Sequence, residues 1–441
     1  MSEDLKRTLG ALDVTTIVIG CIIGSGIFLT PGFVLRDSGS VGLSLTIWVV
    51  GGILSFLGAL TYAELACMSP RSGGLYVYIR DAFGQIPAFA YGWTLFIVIA
   101  TGTVAALAVA AGTYIDRLVP IGATGQKIAS VLVVAALCWI NVKGTEGSAK
   151  VLRVGTALKV AALLFLIVAL PIKGNGFSEV QSFWPTEWNS GTLVAAGTAM
   201  IAVLWAYEAW QYATFVAGEV KEPQRNMPLG ILLGTLIVVV VYVLAVTGYI
   251  AGLGPEKLAA SEAPAADAVI LHFGPAGGKV MSAAILISIL SACQATILTN
   301  ARVFYAMARD GVFFQRMGSV HPKFGTPAFA ICAMSVWAAL LALSGQFRTL
   351  LTYVIFVGWI FYGLGAAALL VFRKTMPDAP RSFKVPGYPV TPILFVLAAV
   401  GLVLNTVMTD PKKGIIGIGG ALLSIPIYYF WRRPTAVRRE T

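Results

Sequence analysis

A lysine, a carboxylate and a pair of glycines stand where an apolar chain has little use for them. Lys159 falls within the apolar run 151–165. A charge inside a membrane span costs at least about 2.5–3.5 kcal/mol, so it faces the bundle interior and finds a partner there, unless its stem lets it snorkel to the interface. Roughly two turns inside, Lys159 reads better as a functional cation. Glu208 sits in Leu-Trp-Ala-Tyr-Glu-Ala-Trp-Gln-Tyr, residues 204–212. Aromatic belts form at membrane interfaces, so Trp205, Tyr207, Trp210 and Tyr212 in mid-run point to a cavity. The alternative is a snug aromatic core with Glu208 hydrogen-bonded. Gly24-Ser25-Gly26 interrupts the first apolar run, 14–35. Two glycines cost a helix about 2 kcal/mol against alanine, and in hydrocarbon an unwound backbone survives only where protein buries it or a cavity borders it. A close helix contact through Gly20 and Gly24 is the simpler alternative.

The elements that position these residues are membrane spans. The chain has 441 residues, 58% hydrophobic and 12% charged, with mean hydropathy +0.84. That composition indicates an all-α polytopic membrane protein. Apolar runs at 14–35, 42–66, 85–116, 127–143, 151–171, 193–218, 228–252, 278–307, 327–344, 347–372, 390–408 and 414–431 give about twelve spans near the crossing length. Lys and Arg divide 21 to 9 between alternate loops, with Lys159 in neither set. The positive-inside rule then puts both termini in the cytoplasm. The same asymmetry accounts for the net charge of +11 without nucleic acid. No cleavable signal is expected before the first span. The five cysteines read as small core residues, and His272 and His321 as distant loop residues. No metal site and no cofactor are expected.

The interrupted spans are the first and the sixth. Five is an odd offset, so the unit starting at the sixth span enters the membrane from the opposite side. This is the arithmetic of an inverted repeat, residues 1–172 against 190–372, with two further helices in 385–432. Transporters of that design bind substrate at the midplane between broken helices. Half-helix N-termini suit an anionic group and unwound carbonyls suit an ammonium, so the pair suits a zwitterion such as an α-amino acid. Gly24 and Gly26 allow close approach to the backbone. Polar loops follow the second, sixth and eighth spans, and their charges can pair, for instance Glu219 with Arg309. None resembles a phosphate-binding loop.

With GSGIF in the first span, PRSGGLYVY after the second, GEVKEPQRNMP after the sixth and AMARDG after the eighth, the sequence resembles the amino acid–polyamine–organocation transporter superfamily. It is most similar to L-type amino acid transporters and their bacterial relatives. The resemblance implies the five-plus-five inverted repeat known from a bacterial leucine transporter. It implies that the substrate carboxylate meets the N–H groups of Ser25 and Gly26 with help from the Ser25 hydroxyl. The ammonium would meet carbonyls of Ile22, Trp205 and Glu208. Gly24, Ala206 and Ala209 would complete the binding segments, and Trp205 would be the outer gate. Lys159 matches the fifth-span lysine that stands, in sodium-independent members, where relatives hold an ion. Ala209 departs from the family's usual glycine, and its methyl should narrow the pocket or stiffen the segment. Animal members pair with a glycoprotein through a cysteine after the third span. The loop 117–126 has none, so no disulfide-linked heavy subunit is expected.

These readings predict a sodium-independent exchanger of small to medium neutral L-amino acids in the cell membrane. Proton-coupled symport through Lys159 or Glu208, and a cationic amino acid or polyamine substrate read by Glu208, stay open. A channel would spread its polar residues along a pore, and an amino acid receptor would need a signalling domain. An enzyme is not expected, since the spans lack clustered His, Cys or carboxylate pairs.

Overall fold

The structure is a computed structural model that describes residues 7–344 and 347–431. Lys6, Arg432, Arg433, Arg438 and Arg439, counted above for orientation, lie outside the described residues, as do the ends of the units starting at 1 and ending at 432. The described chain is helical, its only strand-like pairing an isolated bridge between Leu9 and Val220. In order the helices are α1 (Ala11–Ile22), α2 (Gly26–Ser38), α3 (Val41–Met68), α4 (Leu75–Phe83) and α5 (Gln85–Leu118). Then come α6 (Gly122–Lys143), α7 (Thr145–Lys173), α8 (Ser190–Ala206), α9 (Pro223–Leu253) and α10 (Pro255–Ala260). The last are α11 (Pro264–Arg309), α12 (Ala328–Ser344), α13 (Phe347–Thr375), α14 (Val390–Thr409) and α15 (Pro411–Phe430).

Among the described residues ten helical stretches are long and apolar enough to cross a membrane. The pair α1 and α2, bent by 45° at its break, makes an eleventh. Helix α12 is apolar but shorter. Helices α5, α11 and α13 are buried along most of their length and form the centre, while α6 and α15 are peripheral. Peripheral faces carry bare aliphatic side chains such as Leu132, Val240 and Leu404, as lipid contact requires.

Three expectations need correction. His272 is in a helix, within the stretch of α11 that precedes the kink at Gly274 (φ 76°), and its Nε2 lies 2.7 Å from the Gly252 carbonyl. The sequence hid this because Gly274-Pro275 reads as a loop, although proline is well tolerated in a first helical turn. Cys21, Cys67 and Cys293 are buried, but Cys138 is half-buried and Cys332 exposed, on the outer faces of α6 and α12. The buried Glu219 pairs with Arg302 at 3.0 Å rather than with Arg309. Arg302 occupies the buried face of α11 and Arg309 is exposed; a buried carboxylate demands a buried cation, because leaving it unpaired costs several kcal/mol.

Candidate functional site

The first break is built from the end of α1 and the start of α2. Ile23 takes φ −74° and ψ 87°, which ends α1, and Ser25 caps α2. A helix start leaves its first N–H groups without intrahelical acceptors. Here the N–H groups of Ser25, Gly26 and Ile27 meet no acceptor among the described residues. The Ser25 hydroxyl is buried beside them without a partner. Donors gathered at the positive end of a helix form a seat for an anionic group.

The carbonyls ending α1 are taken up from three other helices. Lys159, fully buried on α7, donates to Gly20 O at 3.0 Å and Ile23 O at 2.7 Å. Ser288 Oγ on α11 donates to Ile23 O at 3.3 Å. Tyr242 Oη on α9 donates to Ile22 O at 3.1 Å, and Gly24 N–H reaches the same oxygen at 2.8 Å. A cation at a helix C-terminus is also favoured by the helix dipole. Lys159 therefore has backbone partners deep in the bundle and does not snorkel.

The second break follows α8. Tyr207 leaves the helix at φ −87° and ψ 3°, Ala209 takes the left-handed φ of 86°, and a 3₁₀ stretch resumes over Trp210–Glu219. Trp205 O accepts Glu208 N–H at 3.1 Å. The carbonyls of Ala206, Tyr207 and Glu208 receive no hydrogen bond among the described residues. The two breaks meet at Gly26, where a Cβ would lie 2.5 Å from Ala206 Cα. No side chain separates them there. Gly24 is similarly confined, with Leu107 and Ala292 each 3.2 Å from where its Cβ would be.

Around this junction Trp205, buried, sets its ring edge-on to Phe347 of α13 at 5.9 Å. Tyr242 links the breaks, since its ring also packs 5.1 Å from Tyr207. The Glu208 carboxylate accepts from Gln211 Nε2 at 2.9 Å and from the Tyr362 hydroxyl on α13. Tyr62 of α3 in turn donates to the Tyr362 carbonyl at 3.0 Å. The side chain of Glu208 is thus held by neutral donors, and only its carbonyl is open.

At the end of the bundle where α3 finishes and α13 finishes, Glu64 is buried between Arg373 and Arg381, with Val385 N–H on its second oxygen at 2.7 Å. At the end of α11, Asp310 accepts from Tyr76 and Arg80. Glu219–Arg302 is a third such pair, also buried.

The family model described as amino acid permease matches residues 9–421, nearly the whole chain. The chain belongs to the amino acid permease family. This permease is 31% identical to the serine/threonine exchanger SteT of Bacillus subtilis (strain 168), over 98% of each chain. It is 32% identical to the human cystine/glutamate transporter, over 97% of the permease and 85% of that protein. It is 30% identical to the mouse large neutral amino acids transporter small subunit 2, over 97% of the permease and 82% of that protein. The family is one of membrane transporters and not of enzymes.

All the residues singled out in the two breaks and Lys159 are brought to one region. Tyr242, Ser288, Phe347 and Tyr362 join them and were missed. Each lies in an apolar run where a lone Tyr, Ser or Phe carries no signal, and each reaches its break across helices: Tyr242 meets Ile22 and Tyr207, Ser288 meets Ile23, Phe347 meets Trp205 and Tyr362 meets Glu208.

Proposed function

We propose that this permease is a sodium-independent exchanger of small to medium neutral L-amino acids that works by alternating access. The observation that carries the reading is the meeting of free N–H groups at Ser25 and Gly26 with free carbonyls at Ala206 and Glu208 across the Gly26–Ala206 contact. A zwitterion satisfies both sets at once. Ile22 and Trp205 carbonyls already accept hydrogen bonds here, so an ammonium reaching them displaces or shares those donors. Trp205 against Phe347 is the closed outer gate. Two of the relatives carry names that agree with this substrate class, the serine/threonine exchanger and the large neutral amino acids transporter, while the cystine/glutamate transporter is named for a different one.

Lys159 supports sodium independence, since its ammonium occupies the carbonyl pair at the first break that a cation would otherwise need. Neutral substrates are favoured because Glu208 is engaged by Tyr362 and Gln211 and offers no bare anion to a cationic substrate. The same carboxylate favours the second reading, proton-coupled symport: it is buried, and its hydrogen-bond partners are all neutral. Counting the bent pair and α12 with the ten long spans gives twelve. We read them as an inverted repeat, 1–172 against 190–372, with 385–432 appended and both termini cytoplasmic. With no cysteine in 117–126, the permease is proposed to act in the cell membrane without a disulfide-linked subunit.

Purified permease in liposomes preloaded with each of the twenty amino acids in turn tests this. Labelled serine or leucine is expected to enter only against internal neutral amino acid, equally in sodium and choline. Uptake into empty liposomes driven by a pH gradient would replace exchange with symport, and a need for sodium would overturn the role given to Lys159.

A further inference from the structure

The segment between α7 and α8 carries Phe183, Trp184 and Trp188 with 43%, 48% and 61% of their surfaces bare. Their rings touch in series, at 5.4 Å and 6.4 Å between centroids. The backbone beneath is tied down. Gly42 N–H donates to Phe183 O at 2.6 Å, Ser182 Oγ to Trp184 O at 2.7 Å, and Thr192 Oγ1 to Glu187 O at 3.1 Å. Asn189 then caps α8 through Thr192 N–H at 3.0 Å. The rings are held outward by a fixed loop.

Their level follows from Gly42, the second residue of α3. Outward-facing Val49 and Ile53 of that helix begin seven residues further on, about 10 Å along the axis. Ile172 ends the bare apolar face of α7, and Leu193 begins that of α8. The aromatic series therefore belongs to the segment that joins the ends of the bare apolar faces of α7 and α8, at the level where α3 begins, with Lys173 exposed at the end of α7. Tryptophan has an apolar body and one N–H donor, and concentrates at headgroup level.

We propose that this loop is an interfacial anchor, with Trp184 and Trp188 seated among the lipid headgroups of the leaflet opposite the termini. The bilayer then holds the link between the helix bearing Lys159 and the half-helix bearing Trp205. The proposal is independent of what the permease carries.

The test compares the permease with its Trp184→Phe/Trp188→Phe variant in phosphatidylcholine liposomes by fluorescence. The difference spectrum isolates two of the ten tryptophans. It is expected to be quenched strongly by phosphatidylcholine brominated high on the acyl chain, and weakly by iodide on both sides of the membrane. Quenching by iodide alone would place the rings in water and overturn the proposal. A difference spectrum that neither agent quenches would show the rings covered by protein, such as a second copy, and would overturn it equally. Unchanged wild-type exchange by the variant checks that the comparison is made on folded protein.

Discussion

At the first break the chain has glycine where no left-handed backbone is used, and at the second it has alanine where one is. Gly24 and Gly26 are absent from the positive-φ residues, whereas Ala209 has φ 86°. The glycines serve space: Gly26 lies against Ala206 backbone, and Gly24 between Leu107 and Ala292. The breaks also differ in how they settle their exposed backbone. The first turns its carbonyls to a lysine and two hydroxyls and leaves N–H groups open. The second leaves carbonyls open and hands its one charge to neutral donors. Neither is complete alone. The first break lacks acceptors, the second lacks donors, and under the proposed function one zwitterion supplies what each misses.

The harshest way to break that complementarity is to part the two segments. Gly26→Val puts side-chain carbon into Ala206 backbone, which has no rotamer to yield, and overpacking of this kind costs about 1–3 kcal/mol. Exchange in liposomes is expected to fall on the order of 100-fold if the whole penalty falls on the binding geometry. Gly401→Ala on α14 is the control, since a Cβ there meets nothing within 4 Å. Equal effects from the two would show that the junction is not special. Next in size is Lys159→Met, which strips Gly20 O and leaves Ile23 O with Ser288 alone. A buried acceptor without a donor costs about 1–3 kcal/mol, so turnover should drop roughly tenfold or more. Wild-type exchange by this variant would mean the first break does not need its cation.

Glu208→Gln sharpens the contrast between a charge in use and a charge in storage. The amide can still accept from Tyr362 or Gln211, so neutral amino acid exchange should stay within about threefold if the carboxylate is structural, a change under 1 kcal/mol. A collapse of exchange, or a pH dependence that disappears in the variant, would move Glu208 from storage to coupling.

Much of this pairing was legible in the sequence because interruptions in an apolar run are conspicuous. Gly24-Ser25-Gly26, Glu208 and Lys159 each break a local rule, and hydrocarbon punishes such breaks. The partners were not legible. The roles of Tyr242 and Tyr362 depend on helix rotation and neighbour choice. The choice of Arg302 over Arg309 for Glu219 likewise depends on which face of α11 is buried. Span positions came from hydropathy, yet α11 begins at Pro264, ahead of the expected 278, because a kinked helix and a loop share the same residues.

The smallest effect is the most particular to the second break. A non-glycine residue held left-handed is strained by about 1–2 kcal/mol, and glycine gives back about 0.5–1 kcal/mol of that through its freer unfolded chain. Ala209→Gly should therefore stabilise the permease by about 0.5–1 kcal/mol, unless its buried methyl packs well enough to offset the gain. Thermal unfolding in detergent, followed by retained monodisperse protein, should show a midpoint raised on the order of a degree or two. A lowered midpoint would mean that the methyl fills space beside the break and that alanine is there for volume, as the glycines of the first break are there for its absence. In that case both breaks would be shaped by packing, and the left-handed φ at Ala209 would be a strain the fold accepts in return for a narrower site.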